Sequence, residues 1–182
     1  MKQLTSLVRL GRHKVRDIAY QFKMPAGFPG DVNRSHPADI EPALADPTNP
    51  PTSFGQAVVG NPVSGGVRAL IAGDSGTTIY GVLARAYPTQ QALGGLNSAF
   101  GVGGPNANAT VSVLRNGYIM VPVVGAPTKF APVFIWIGVT GAGHTFGGFE
   151  AVAAGVSTAQ LANASFNGGP DANGVCELIL NF

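Results

Sequence analysis

The sequence predicts a mainly β protein carried behind an N-terminal helical arm. From Phe54 to Gln90, nothing keeps an unbroken helical period for about ten residues or more. Short apolar, β-favouring runs instead alternate with turns built from glycine and proline, which together make up 40 of 182 residues (26 Gly and 14 Pro). Charged residues are only 11% of the chain, against about 25% in an average soluble domain. A surface so poor in charge is expected to be partly covered by another molecule.

Leu4, Leu7, Val8, Gly11, Val15, Ile18, Ala19 and Phe22 recur at helical spacing. Thr5 or Ser6 can cap the start. Lys23-Met24-Pro25 ends the helix, because the residue before proline avoids the α region. Residues 1–34 hold seven Lys/Arg and two Asp (+5), and the remaining 148 hold four Lys/Arg and seven Asp/Glu (−3). The first element is therefore a basic amphipathic helix. Pro25, Pro29, Pro37, Pro42, Pro47, Pro50 and Pro51 follow, and predict a semi-rigid extended linker with no packed element. Helix and linker form an arm over residues 1–53, and a β body occupies 54–182.

Within the body, Phe54–Val59 is a strand stopped by Gly60-Asn61-Pro62, Val67–Ile71 is a second, and Thr77–Tyr87, ended by Pro88, is a third. These three are expected to form the platform for the later strands. Gln91–Asn108 reads as a loop. Asn116-Gly117 between Val111–Arg115 and Tyr118–Val124 predicts a hairpin, with Pro122 sending its second strand to an edge or bulge. The run VFIWIGV within Pro132–Thr140 predicts a strand buried on both faces. Phe149–Ala154 is a short strand, Thr158–Ala164 at most one helical turn, and Asn167–Gly174 a turn. In the last strand, Val175–Phe182, Cys176, Leu178, Leu180 and Phe182 share one face, and Val175, Glu177, Ile179 and Asn181 the other.

Several kinds of chemistry find no support. One cysteine excludes an intramolecular disulfide and a multi-cysteine zinc site; Cys176 is expected to be a buried, inert thiol. His13, His36 and His144 lack ligand spacing and read as surface or turn residues, so no metal and no cofactor are expected. Asp39 and Glu41 would work as acid and base only in a pocket that raised one of them, and both are expected to face water. Gly101-Val-Gly-Gly-Pro105 and Gly141-Ala-Gly-His144 lack the Lys-Ser/Thr ending of a phosphate loop. Ser64, Ser75 and Ser157 have no nucleophile-elbow context. No run of 18 apolar residues exists to span a membrane, and Arg9, Arg12, His13 and Lys14 interrupt what would be a signal sequence.

The arm carries the one charged feature that points to binding. Arg9, Arg12, Lys14 and Arg16 have no aromatic beside them for base stacking. Docking on an acidic protein surface is therefore preferred over a solvated face, nucleic acid or a membrane.

A family resemblance rests on an ordered set of segments: Ala26-Gly-Phe-Pro-Gly-Asp-Val-Asn-Arg34 leading to Ile40-Glu-Pro42, Phe54-Gly-Gln56, Gly81-Val-Leu-Ala-Arg-Ala-Tyr-Pro-Thr-Gln90, Val113-Leu-Arg-Asn-Gly-Tyr118, and Asp171-Ala-Asn-Gly174 with Glu177-Leu-Ile179. Together these resemble the structural cement (head decoration) proteins of tailed bacteriophages. The resemblance runs from about residue 26 to the C-terminus and leaves the basic helix outside it. It implies a small β-barrel, β-tulip or jelly-roll body on the outer surface of the capsid of a virion assembled in the host cytoplasm. It implies bridging of major capsid subunits against internal DNA pressure, a dimer or trimer at a capsid symmetry axis, no enzyme activity, and no direct nucleic-acid or membrane partner. The arm would then dock on the shell, with Leu4, Leu7, Val8, Val15, Ile18 and Phe22 filling a groove and Arg9, Arg12, Lys14 and Arg16 meeting acidic loops. The alternatives are another virion β protein, such as a tail or head–tail connector subunit, and a carbohydrate-binding β-sandwich that would stack sugars on Trp136 or the four tyrosines.

Overall fold

The computed structural model describes residues 27–34, 37–85, 105 and 107–182. In chain order the strands are β1 (Asp39–Leu44), β2 (Ala57–Asn61), β3 (Gly66–Arg68), β4 (Ile79–Ala84), β5 (Thr110–Val124), β6 (Pro132–Trp136), β7 (Phe149–Glu150), β8 (Thr158–Phe166) and β9 (Val175–Asn181). They hydrogen-bond into one sheet, antiparallel except for the β5–β7 pair. The mainly β class read from the sequence is the class observed.

The sheet is organised around β5, which corrects the expected hairpin. The chain does not turn at Asn116-Gly117; Thr110–Val124 runs on as one strand of 15 residues. A two-residue type I′ hairpin needs positive φ at both central residues, and of this pair only Gly117 has it (φ +128°). A Cβ at Gly117 would lie 2.5 Å from the Pro37 carbonyl oxygen, so the glycine serves a close chain approach. The dipeptide marks where β5 changes partners. Asn116 pairs with Asp39 of β1 and with Asn181 of β9. Before it the strand lies between β1 and β4; after it β9 takes over, and β7 joins at Val123–Val124.

Two circuits of pairing share this strand. β5–β7–β6–β8–β9–β5 closes as a small barrel. β5–β4–β2–β3 returns to β5 through the Ala45↔Val67 bridge and β1. Closure leaves few exposed edges for unwanted pairing. The main core fills the barrel and the near face of the second circuit, with Leu114, Ile119, Val121, Val133, Ile135, Phe149, Leu161, Phe166, Cys176, Leu178 and Leu180 all buried. A smaller core of Ala45, Val58, Val67, Leu83, Val111 and Val113 lies on the other side of β2 and β4. These two strands, with the first half of β5, are therefore buried on both faces. The run VFIWIGV is not: Val133 and Ile135 point inward, while Phe134 and Trp136 are half-exposed. Cys176 sits on the inner face with Leu178 and Leu180, as expected.

The proline-rich segment differs from its reading as an unpacked linker. β1 pairs with β5 along Asp39–Leu44, and Pro42 fits because an outer strand tolerates a missing donor. Further upstream, Gly30 N–H donates to Met120 O (2.7 Å), Met120 N–H donates to Asp31 O (2.9 Å) and Arg85 N–H donates to Gly30 O (2.7 Å). Arg34 makes a two-pronged bond to Glu177 (3.0 and 2.7 Å) and lies over the Tyr118 ring at 4.1 Å. Burial pushes the Glu177 carboxyl up, but hydrogen bonds from Arg34, Asn167 and Asn33 outweigh it and hold the group below its ordinary range. Thr158–Ala164, read as a helical turn, lies within strand β8, flanked by β6 and β9; only Gly155–Ser157 before it makes a 3-10 turn.

Candidate functional site

Charge is unevenly spread over this body. From Phe130 to Pro170 the sequence contains one Asp, Glu, Lys or Arg, Glu150, and that side chain is buried. This stretch supplies β6, β7, β8 and the loops at their ends, one side of the barrel. Among the described residues, the arginine–carboxylate pairs lie elsewhere: Arg34–Glu177, Arg68–Asp74, Arg85–Asp31 and Arg115–Glu41.

The loops of the charge-free side are apolar as well as uncharged. Residues 151–156 read Ala-Val-Ala-Ala-Gly-Val. Val152 is 72% exposed and Val156 96%, and Val139 in the neighbouring loop is 88% exposed. Backbone bonds hold the loops in place. Ala151 N–H donates to Val124 O (3.0 Å), while Ile137 and Gly138 N–H donate to Ser157 O (2.9 and 3.1 Å). Ala154 N–H donates to Thr158 Oγ1 (2.8 Å), and Trp136 Nε1–H donates to Val139 O (3.1 Å). Burial of apolar side chains does not explain this order, since the valines point to solvent. A fixed, exposed apolar surface of this kind is a candidate interaction site, and depletion of charge is what distinguishes interface centres from ordinary surface.

Beneath the loops, His144 Nδ1 lies 2.7 Å from Glu150 Oε1, and the imidazole stacks on Trp136 with centroids 4.0 Å apart. The indole proposed for sugar stacking therefore has one face covered by His144 and its N–H committed to Val139. At the far end of β6, Phe130 is 71% exposed and Lys129 Nζ sits 5.0 Å from its ring centroid.

The residues read as candidates from the sequence are distributed as follows. Leu4, Leu7, Val8, Arg9, Arg12, Lys14, Val15, Arg16, Ile18 and Phe22 lie outside the described residues, as do His13 and His36. Asp39 is exposed at the start of β1. Glu41 is engaged by the Tyr80 hydroxyl and by Arg115 at 3.6 Å, so the two carboxylates are not brought together over a common pocket. The Glu41 bond and burial push the Tyr80 phenol up. Ser64 donates to Asp46 (2.9 Å). The charge-free side was not singled out from the sequence, although the gap between Lys129 and Asp171, broken only by Glu150, was its visible trace.

A family model described as the XM1 gp53 minor capsid protein matches residues 18–180. The chain belongs to this family. It is thus a phage capsid-associated structural protein, in agreement with the resemblance to tailed-phage head proteins. Among solved structures, a chain of the capsid of Myoviridae Phage XM1 has the same fold with a TM-score of 0.63 and 22% identity, covering 87% of this chain and 92% of that one. No curated protein matches the chain.

Proposed function

We propose that the protein attaches to the outer surface of the phage head, bridges neighbouring major capsid subunits and so cements the shell against internal DNA pressure. The observation that carries this reading is the charge-free side of the barrel, with Val139, Val152 and Val156 presented on hydrogen-bonded loops. A standard protein interface buries roughly 1,600 Å² in total. Icosahedral symmetry repeats each contact around the head, so modest individual contacts combine into a strong lattice. The N-terminal arm is the second docking element, with Leu7 and Ile18 on its apolar stripe and Arg9, Arg12, Lys14 and Arg16 on its basic side. Its charges speed and orient docking, whereas buried apolar contacts hold the complex. The role is structural rather than catalytic.

The test is to add purified protein to heads that lack it and to measure bound copies and the temperature of DNA release. Saturable binding with a raised release temperature is expected. Replacing Arg9, Arg12, Lys14 and Arg16 with Gln should slow attachment and flatten its salt dependence, because exposed charges are screened within about 10 Å. Attachment to tails with no affinity for heads would identify a connector or tail subunit instead.

A further inference from the structure

Phe130 holds a backbone conformation that phenylalanine rarely adopts. Its φ is +67°, the left-handed region where Cβ crowds the backbone. The surrounding chain requires it. Phe130 N–H donates to Phe166 O (2.7 Å), Phe166 N–H donates to Ala131 O (3.1 Å), and Ala131 N–H donates back to Thr128 O (3.1 Å). These bonds fix residues 130 and 131 at the entry to β6. Glycine fits such a position without cost, and glycine occupies most positive-φ positions of this chain; Asn108, Phe130 and Ala142 are the others among the described residues. Phe130 brings neither that ease nor core burial, since the residue is 71% exposed. A bulky side chain kept at a strained, solvent-facing turn works against the free fold, and strain of this kind concentrates at functional sites.

We infer that Phe130 is the anchor of the charge-free side, and that its ring enters an apolar pocket on the major capsid protein with Lys129 at the rim. The inference rests on the proposed attachment to the head. Buried aromatic anchors dominate the energetics of many protein interfaces, and an uncharged side calls for an uncharged pocket opposite it. A second copy of the chain fits less well as the occupant. Among the described residues, the depression lined by Pro42, Asn61, Gly66 and Tyr80 and the one lined by Asn163, Ser165 and Asn181 are both open to solvent.

The strain gives the test its power, because Phe130→Gly relieves the backbone while removing the ring. Wild-type and Phe130→Gly proteins are titrated onto heads that lack the protein, and each is melted and sedimented alone. The expected result is an unchanged or higher melting temperature together with roughly thirty-fold weaker binding to heads, the size of one hot-spot residue. If the wild type binds and Phe130→Gly binds equally well, the anchor is refuted and the cementing reading stands. If the wild type fails to bind, both fall. A clear loss of melting temperature in Phe130→Gly makes the ring structural and overturns the inference. A changed sedimentation of the free protein with head binding intact seats the ring on a second copy, and overturns the shell as its partner.

Discussion

Placing a single carboxylate on the charge-free side separates docking from folding. Val156 is 96% exposed in the 151–157 loop, so Val156→Asp should leave the free protein within about 0.5 kcal/mol of its original stability. In the docked state the same change loses the apolar contact of a buried valine, about 1.5–3 kcal/mol. It also forces an unpaired carboxylate out of water, which costs at least about 2 kcal/mol more. The total is about 3.5 kcal/mol or above, and at about 1.4 kcal/mol per tenfold the affinity for heads should fall by about three-hundredfold or more. Val63 provides the control. It is 94% exposed on the β2–β3 turn, outside the charge-free side, and Val63→Asp adds the same charge. Binding is measured by co-sedimentation with heads over a range of protein concentration, beside thermal melts of the free variants. Val156→Asp should melt like the wild type and fail to bind, whereas Val63→Asp should melt like the wild type and still bind. Equal binding by the two variants would refute the assignment of the docking side.

Three further outcomes follow from the fold. Gly117→Ala puts a Cβ 2.5 Å from the Pro37 carbonyl oxygen at a φ of +128°, and should destabilise the protein by about 1–3 kcal/mol in chemical denaturation. Asp46 accepts bonds from Asn49 N–H, Ser64 Oγ, Thr48 N–H and Asn61 Nδ2 at 2.6–2.9 Å, which lower its carboxyl from 3.8 to about 2. A depressed carboxylate stabilises the fold above its unfolded pKa and loses that contribution as pH falls through the folded one, so an acid-induced loss of stability between about pH 4 and pH 2 should be shallower in Asp46→Asn. Arg34, tied to Glu177 and stacked on Tyr118, should resist trypsin in the native protein and become cleavable in Glu177→Ala; mass spectrometry of the limited digest reads this directly.

How much of this was legible in the sequence depended on whether local chemistry and long-range pairing agreed. The last strand was readable because the alternation of Cys176, Leu178 and Leu180 is also the alternation that faces the core. Asn116-Gly117 misled because the glycine's conformational freedom is used for the close approach of Pro37, a contact set by chain distant in sequence. β1 was hidden by Pro42, whose missing N–H is harmless only because of the strand's place in the sheet. β8 was hidden by an Ala-rich stretch, Thr158–Ala164, with little β preference of its own; its pairing with β6 and β9 decides its state, as strand preference generally yields to context. The charge-free side was present in the composition as a total of 11% charged residues. Only the closure of β5, β7, β6, β8 and β9 into a barrel shows that the uncharged residues collect on one side of it.

The most direct measurement is a map of the assembled head in which the β body can be placed among the shell subunits. Val139, Val152, Val156 and Phe130 are expected within about 4 Å of major capsid protein atoms, with the exposed Val63 of the second circuit facing solvent. A body attached through that second circuit, with the 151–157 loop and Phe130 open to water, would contradict this placement.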